Sequence, residues 1–138
     1  MLVDDNSSIR VLLAEDNPAN QKVTMLMLGR LGYRADAVDS GQKVLDALKK
    51  RSYNLVLMNI RLPEMDGLTA ARKIRSLCPD GKQPWIIAFT AYICPESRRT
   101  CLDAGMDDFM AKPVRMSDLG SMLGKYLPTP ARKKRTIN

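Results

Sequence analysis

Four short stretches of this chain end in polar side chains that could handle a phosphoryl group. Glu15-Asp16 is an adjacent carboxylate pair after one apolar run, Asn59 ends a second, Thr90 ends a third, and Lys112-Pro113 follows a fourth. Two carboxylates held together repel unless a cation compensates them. A hard divalent ion such as Mg²⁺ takes oxygen ligands of this kind. A lysine beside them suits an ion pair or a phosphate contact, and Pro113 admits a cis peptide that would fix its loop. Thr90, followed by the small Ala91, offers a hydroxyl donor. What is missing is the attacking oxygen. Asn59 stands where a carboxylate would complete a phosphoryl-accepting site, and a neutral carboxamide is a poor nucleophile. Its neighbours Met58 and Ile60 are apolar, so no adjacent hydroxyl substitutes. Each residue alone has a plainer reading. Thr90 would be an ordinary β-branched strand residue, Lys112 a solvated surface group, and an acid at 15 or 16 a helix cap. Asn17-Pro18 already suits that last job.

These groups share a position relative to the elements that carry them. Residues 9–14, 33–38, 55–58, 85–90 and 108–111 read as strands. Helices are expected from Pro18 to a stop at Gly32, from a Ser40 cap, over 67–77, over 95–104 and over 117–127. Val23, Met27 and Leu31, with Leu28 beside them, are the expected inward face of the first helix. Val44, Leu45 and Leu48 serve the second, Leu68, Ala71 and Ile74 the third, and Leu119, Met122, Leu123 and Tyr126 the last. Cys78-Pro79-Asp80-Gly81 supplies turn chemistry. Strict strand–helix alternation implies an α/β fold with a parallel sheet covered on both faces. The nearly continuous apolar character of the first, third and fourth strands agrees. Ligands in such folds lie beyond the carboxyl ends of the strands. Glu15, Asp16, Asn59, Thr90 and Lys112 all fall at those ends.

The 138 residues suit one domain with its own core. We expect an N-terminal extension over 1–7, a domain over 8–127 and a basic tail or linker over 128–138. Net charge is +7, but Arg132, Lys133, Lys134 and Arg135 carry four of those positives, leaving about +3 for the remainder. Nucleic-acid binding is not expected of the domain. There is no histidine, which excludes a Ser-His-Asp triad and a phosphohistidine donor. Cys78, Cys94 and Cys101 are an odd set without close pairing and read as reduced thiols. No apolar run is long enough to span a membrane, and no secretory signal pattern is visible. The expected location is cytoplasmic.

Four motifs in order carry a family likeness. They are Leu12-Leu13-Ala14-Glu15-Asp16-Asn17, Met58-Asn59-Ile60-Arg61-Leu62-Pro63-Glu64-Met65-Asp66-Gly67, Ala88-Phe89-Thr90-Ala91, and Gly105-Met106-Asp107-Asp108-Phe109-Met110-Ala111-Lys112-Pro113. Over roughly residues 8–127 the chain resembles the receiver domains of two-component response regulators, especially those fused to hybrid histidine kinases. The resemblance implies a flavodoxin-like (βα)5 fold, a doubly wound parallel sheet in order 2-1-3-4-5. It implies a non-enzymatic phosphorelay module that takes a phosphoryl group from a phosphohistidine onto an aspartate. By position, Glu15, Asp16, residue 59 and the backbone carbonyl of Arg61 would hold Mg²⁺. Thr90 and Lys112 would contact phosphoryl oxygens, and Phe109 would report the state of Thr90 as a switch. A histidine kinase or histidine phosphotransfer domain would be the donor partner. The 95–127 face would meet an output partner, and the chain would be a monomer or weak dimer.

Asn59 departs from that pattern. It removes one of three clustered negative charges and should weaken Mg²⁺ binding. Its amide oxygen is expected to accept from Lys112. Two readings remain open. Asn59 is either a deliberate replacement that disables a working receiver, or the native residue of a pseudo-receiver that acts by binding alone. An enzyme on the same fold is disfavoured, because no glycine-rich phosphate loop is present and Glu15-Asp16 would repel a flavin phosphate.

Overall fold

The computed structural model describes residues 9–91 and 95–128, without the side chains of 95–97. Cys94, the 1–7 extension and the basic run 132–135 lie outside the described residues. The elements follow in strict alternation. They are β1 (Arg10–Ala14), α1 (Pro18–Arg30), β2 (Arg34–Val38), α2 (Gly41–Lys50), β3 (Leu55–Asn59), α3 (Gly67–Leu77), β4 (Trp85–Thr90), α4 (Pro95–Asp103), β5 (Asp108–Ala111) and α5 (Met116–Tyr126). A short 3-10 turn, Asp80–Lys82, overlaps the predicted Cys78-Pro79-Asp80-Gly81 turn.

All strand pairs are parallel, in the order β2-β1-β3-β4-β5. Parallel strands covered on both faces must be apolar on both sides. The alternation of side chains then divides them between two cores. Leu12, Ala14, Val56, Met58, Ile86 and Ala88 pack with Val44, Ala71, Ile74 and Cys101, which is the α2–α3–α4 side. Val11, Leu13, Leu55, Leu57, Ile87 and Phe89 pack with Leu28, Leu119 and Leu123, which is the α1–α5 side. The flavodoxin-like architecture expected from the sequence is thus the observed one.

Helix starts follow local chemistry. The Asn17 side chain accepts the Asn20 N–H at 2.9 Å with Pro18 in the first turn. Ser40 accepts from Lys43 at 3.2 Å, and Asp66 from Thr69 at 2.8 Å. Each satisfies a donor that the helix leaves free. Gly32 and Gly105 end α1 and α4 at φ +97° and +98°, a region that side chains with a Cβ rarely enter.

One predicted face is corrected. In α1 the buried residues are Thr24 and Leu28, while Val23 is 50% exposed and Met27 and Leu31 are only partly covered. Apolar residues run around most of this helix, so its periodicity does not single out a face. The flanking sheet decides it, and Thr24 takes an inward place.

Candidate functional site

The order of the sheet reverses between β1 and β3, because β1 connects to β2 on one side and the chain then crosses to β3 on the other. Glu15-Asp16 follows β1 and Asn59 closes β3, so all three face that crevice. Lys112 enters from the turn after β5, where the Lys112–Pro113 peptide is cis. Its backbone N–H donates to the Thr90 carbonyl at 2.8 Å, which sets the loop against the end of β4.

Glu15 is the hub. Only 1% of it is exposed. Its Oε1 accepts from Lys112 Nζ at 2.8 Å. Its Oε2 accepts from the Asn59 Nδ2 at 3.0 Å and the Asn17 N–H at 3.1 Å. Gln21 Nε2 donates to its backbone carbonyl at 2.9 Å. A buried carboxylate requires such compensation. Asp16 is exposed by contrast, and reaches the Asn59 Nδ2 at 3.3 Å. Asn59 therefore points its amino group at the acids and its carbonyl away, where Oδ1 accepts the Arg61 N–H at 3.3 Å. This orientation follows from charge, since a carbonyl oxygen turned toward two carboxylates would be repelled. The expected bond from Lys112 to the Asn59 oxygen is not formed. The ammonium goes to the full negative charge of Glu15 instead.

Thr90 sits at the end of β4, paired in register with Ala111, while Phe109 pairs with Ala88 two positions earlier. The Phe109 ring packs on the α2–α4 side of the sheet, with the Arg98 guanidinium 4.3 Å from its centroid. Such a contact holds a cation against the ring face. Glu15, Asp16, Asn59 and Lys112 thus converge directly, whereas Thr90 and Phe109 adjoin them through the β4–β5 register.

Three contributions to holding the site were not read from sequence. Asn17 holds Glu15 through its backbone as well as capping α1, and the Gln21 side chain reaches back six residues to the Glu15 carbonyl. Gly67 packs so closely that an added Cβ would lie 2.5 Å from the Asn59 backbone oxygen. The signal for Gly67 was its place in the loop motif after β3. A cleft of about 360 Å³ opens beside Glu15 and Lys112 and is lined by Val23, Thr24, Met27, Phe89 and Val114.

The donor set suits a hard cation in kind: two carboxylates, an amide oxygen and backbone oxygens. Among the described residues no group of three or more His, Cys, Asp or Glu forms, because position 59 contributes an amide. The amide would have to turn its oxygen inward to serve as a ligand. No helix among the described residues is long and apolar enough to cross a membrane.

The chain matches the response regulator receiver domain family over residues 11–124. It is 39% identical over 126 residues to histidine protein kinase 1 of Candida albicans, covering 85% of this chain but 5% of that protein. It is 36% identical over 121 residues to hybrid signal transduction histidine kinase F of Dictyostelium discoideum, covering 86% of this chain and 11% of that one. The chain thus spans a small part of the curated relatives it matches. Among solved structures, the receiver domain of a Pseudomonas aeruginosa sensor histidine kinase is 40% identical with a TM-score of 0.78, covering 86% of this chain and 96% of that one. That structure has a magnesium ion coordinated in its active-site cleft. The receiver domain of a Saccharomyces cerevisiae response regulator, solved with a histidine phosphotransfer protein, aligns at 27% identity and a TM-score of 0.79. It covers 86% of this chain and 88% of that one. An acidic crevice at the strand-order reversal, a lysine after β5 and these matches together place the chain in the response regulator receiver domain family.

Proposed function

We propose that this chain is a phosphorelay receiver module of the hybrid-kinase type whose acceptor position is blocked by Asn59. The observation that carries this reading is the Asn59 amide itself. It lies 3.0 Å from Glu15 and 3.3 Å from Asp16, in the place where an attacking carboxylate would stand. In a phosphorylatable version, a carboxylate oxygen at 59 attacks phosphorus as the bond to the donor imidazole breaks, and the protein's part is placement and charge stabilisation. Lys112 and Thr90 would receive the phosphoryl oxygens, and Phe109 would follow Thr90. Glu15, Asp16, the Asn59 oxygen and the Arg61 carbonyl would hold Mg²⁺, which supplies charge neutralisation at the phosphoryl group. With one carboxylate replaced, that binding is weakened. The chain catalyses no turnover of its own. Its partners are a histidine kinase or histidine phosphotransfer domain at the strand ends and an output partner on the 95–127 face, in a cytoplasmic setting.

The test is intact mass after incubation with acetyl phosphate and Mg²⁺. We expect no phosphoryl adduct on this chain and an adduct on Asn59→Asp. A stable adduct on the unaltered chain, or none on the restored one, rejects the reading.

One observation favours a second reading, a phosphorylation-independent interaction module. The Asn59 amide donates to both acids and Lys112 pairs with Glu15, so the carboxylates of the crevice have partners without a metal ion. In that case a partner binds equally well with or without Mg²⁺ and phosphodonor.

A further inference from the structure

The groove between α2 and α3 has a one-sided surface. It encloses about 410 Å³ and is lined by Leu45 and Lys49 of α2 with Arg72, Lys73, Ser76 and Leu77 of α3. Residues four apart lie one above another on a helix. Leu45 and Lys49 therefore form one row, Arg72 and Ser76 a second, and Lys73 and Leu77 a third. The two α3 rows lie outside the buried stripe of Ala70, Ala71 and Ile74. Leu77 is 41% exposed, leaving an apolar side chain open at the groove.

None of the three cations has an ion-pair partner among the described residues. Among the described residues, ion pairs engage Lys43, Arg51, Arg75, Lys112, Arg115 and Lys125, but not Lys49, Arg72 or Lys73. Asp46, the acid nearest Lys49 along α2, accepts from Gln42 instead. Uncompensated like charges beside one another are tolerated at a surface but gain when an opposite charge arrives. The complement of this groove is an apolar side chain flanked by carboxylates.

We propose that the α2–α3 groove docks an acidic amphipathic segment of a partner protein. An apolar side chain of that segment rests on Leu45 and Leu77, and its carboxylates meet Lys49, Arg72 and Lys73. This is the helix-in-groove mode of recognition, with anchors at three- and four-residue spacing. A lipid surface fits less well, because a flat headgroup layer meets the rim cations without filling the concave floor. The groove flanks the sheet away from Glu15, Asn59 and Lys112 and does not include the 95–127 face. The segment can therefore bind whether or not position 59 accepts a phosphoryl group.

The test uses the full chain and a fluorescein-labelled helical peptide with leucines at i and i+4 flanked by glutamates. We expect binding that weakens with salt, with amide shifts at Leu45, Lys49, Lys73, Ser76 and Leu77. The exposed double reversal Arg72→Glu/Lys73→Glu should weaken binding by about tenfold or more. Leu77→Ala should weaken it while leaving the salt dependence in place. A peptide with lysine in place of glutamate should not bind. Shifts confined to the basic run 132–135, or an affinity unchanged by the double reversal, would overturn the proposal. So would phosphatidylserine vesicles binding through these cations while the peptide does not.

Discussion

The Asn59 amide nitrogen donates to Glu15 Oε2 at 3.0 Å, tying the end of β3 to the end of β1 across the crevice. Glu15 is almost wholly buried, and it collects donors from Asn17, Asn59 and Lys112. A buried charge is tolerated only with such partners. Residue 59 therefore has two consequences at once. It decides whether a nucleophile is present, and it decides whether both acids have a hydrogen-bond donor without a metal ion.

Asn59→Asp should accordingly lower stability in metal-free buffer. It replaces a donor to Glu15 with a third carboxylate, and we expect a loss on the order of 1–3 kcal/mol. Millimolar Mg²⁺ should return most of that loss, since a ligand bound only by the native state stabilises it. The unaltered chain should respond much less. Urea unfolding of both proteins, with EDTA and with Mg²⁺, measures this, and an equal Mg²⁺ response in the two would contradict it.

Lys112→Met tests the other arm of the hub. The ammonium is 20% exposed along its side chain while Glu15 is 1% exposed, so the cost falls mainly on the acid left behind. Removing one partner of a fully buried pair costs about 3–5 kcal/mol. Glu15 keeps its two N–H donors here, so a loss of roughly 2–3 kcal/mol is expected. The double change Glu15→Gln/Lys112→Met should lose less than the sum of the two single changes. Equal sums in a denaturation cycle would show the ion pair to be uncoupled.

Much of this was legible beforehand, and the reasons are local. The ranges expected for β4, β5 and α3 coincide with the observed Trp85–Thr90, Asp108–Ala111 and Gly67–Leu77. Glycine, proline and capping residues punctuate those stretches, and their apolar runs are unambiguous. The meeting of Glu15, Asp16, Asn59 and Lys112 was legible because a parallel sheet brings the carboxyl ends of its strands together. The face of α1 was not, because that helix is apolar nearly all round. The partner of Lys112 was not either, since choosing Glu15 over the Asn59 oxygen depends on which group is charged and buried. Nor was the Arg75 clasp, where one guanidinium binds the carbonyls of Gly105 and Pro84 and the side chains of Gln83 and Asp107. Contacts across thirty residues leave no periodic trace.

Gly67→Ala should be costly although it adds a single methyl. The new Cβ would lie 2.5 Å from the Asn59 backbone oxygen and 3.0 Å from Ile60 Cα. Both of these contacts are backbone atoms of one segment, which has little room to yield, and overpacking of this kind costs about 1–3 kcal/mol. Gly81→Ala is the matched control, because a Cβ there meets nothing within 4 Å. Its effect should stay within about 0.5 kcal/mol. Thermal unfolding of the pair distinguishes a steric limit at the site from a general intolerance of glycine replacement.

Tyr126→Phe should reveal a pH-dependent contact between α5 and β5. The Tyr126 hydroxyl donates to Asp108 Oδ2 at 2.6 Å, and Lys125 Nζ reaches the same oxygen at 3.2 Å. Burial opposes the charge on Asp108, but hydrogen bonds from Tyr126, the Phe109 N–H and Lys125 outweigh it and hold the carboxyl below its ordinary range. A depressed carboxyl contributes stability above its unfolded pKa, near 3.9, and loses it as pH falls through the folded value. Burial and the bond to Asp108 push the Tyr126 phenol up to about 12. That contribution is present below the ordinary phenol value near 10 and is lost as pH rises through about 12. The phenylalanine variant keeps the ring against Trp85, whose centroid lies 4.8 Å away, and loses only the donor. At pH 7 it should be less stable by roughly 1–2 kcal/mol. The gap should hold down to about pH 5 and narrow below about pH 4 as Asp108 protonates in the unfolded and then the folded chain. Urea unfolding across that range measures it. A gap unchanged from pH 7 to pH 3 would mean that the hydroxyl gains nothing from the charge on Asp108.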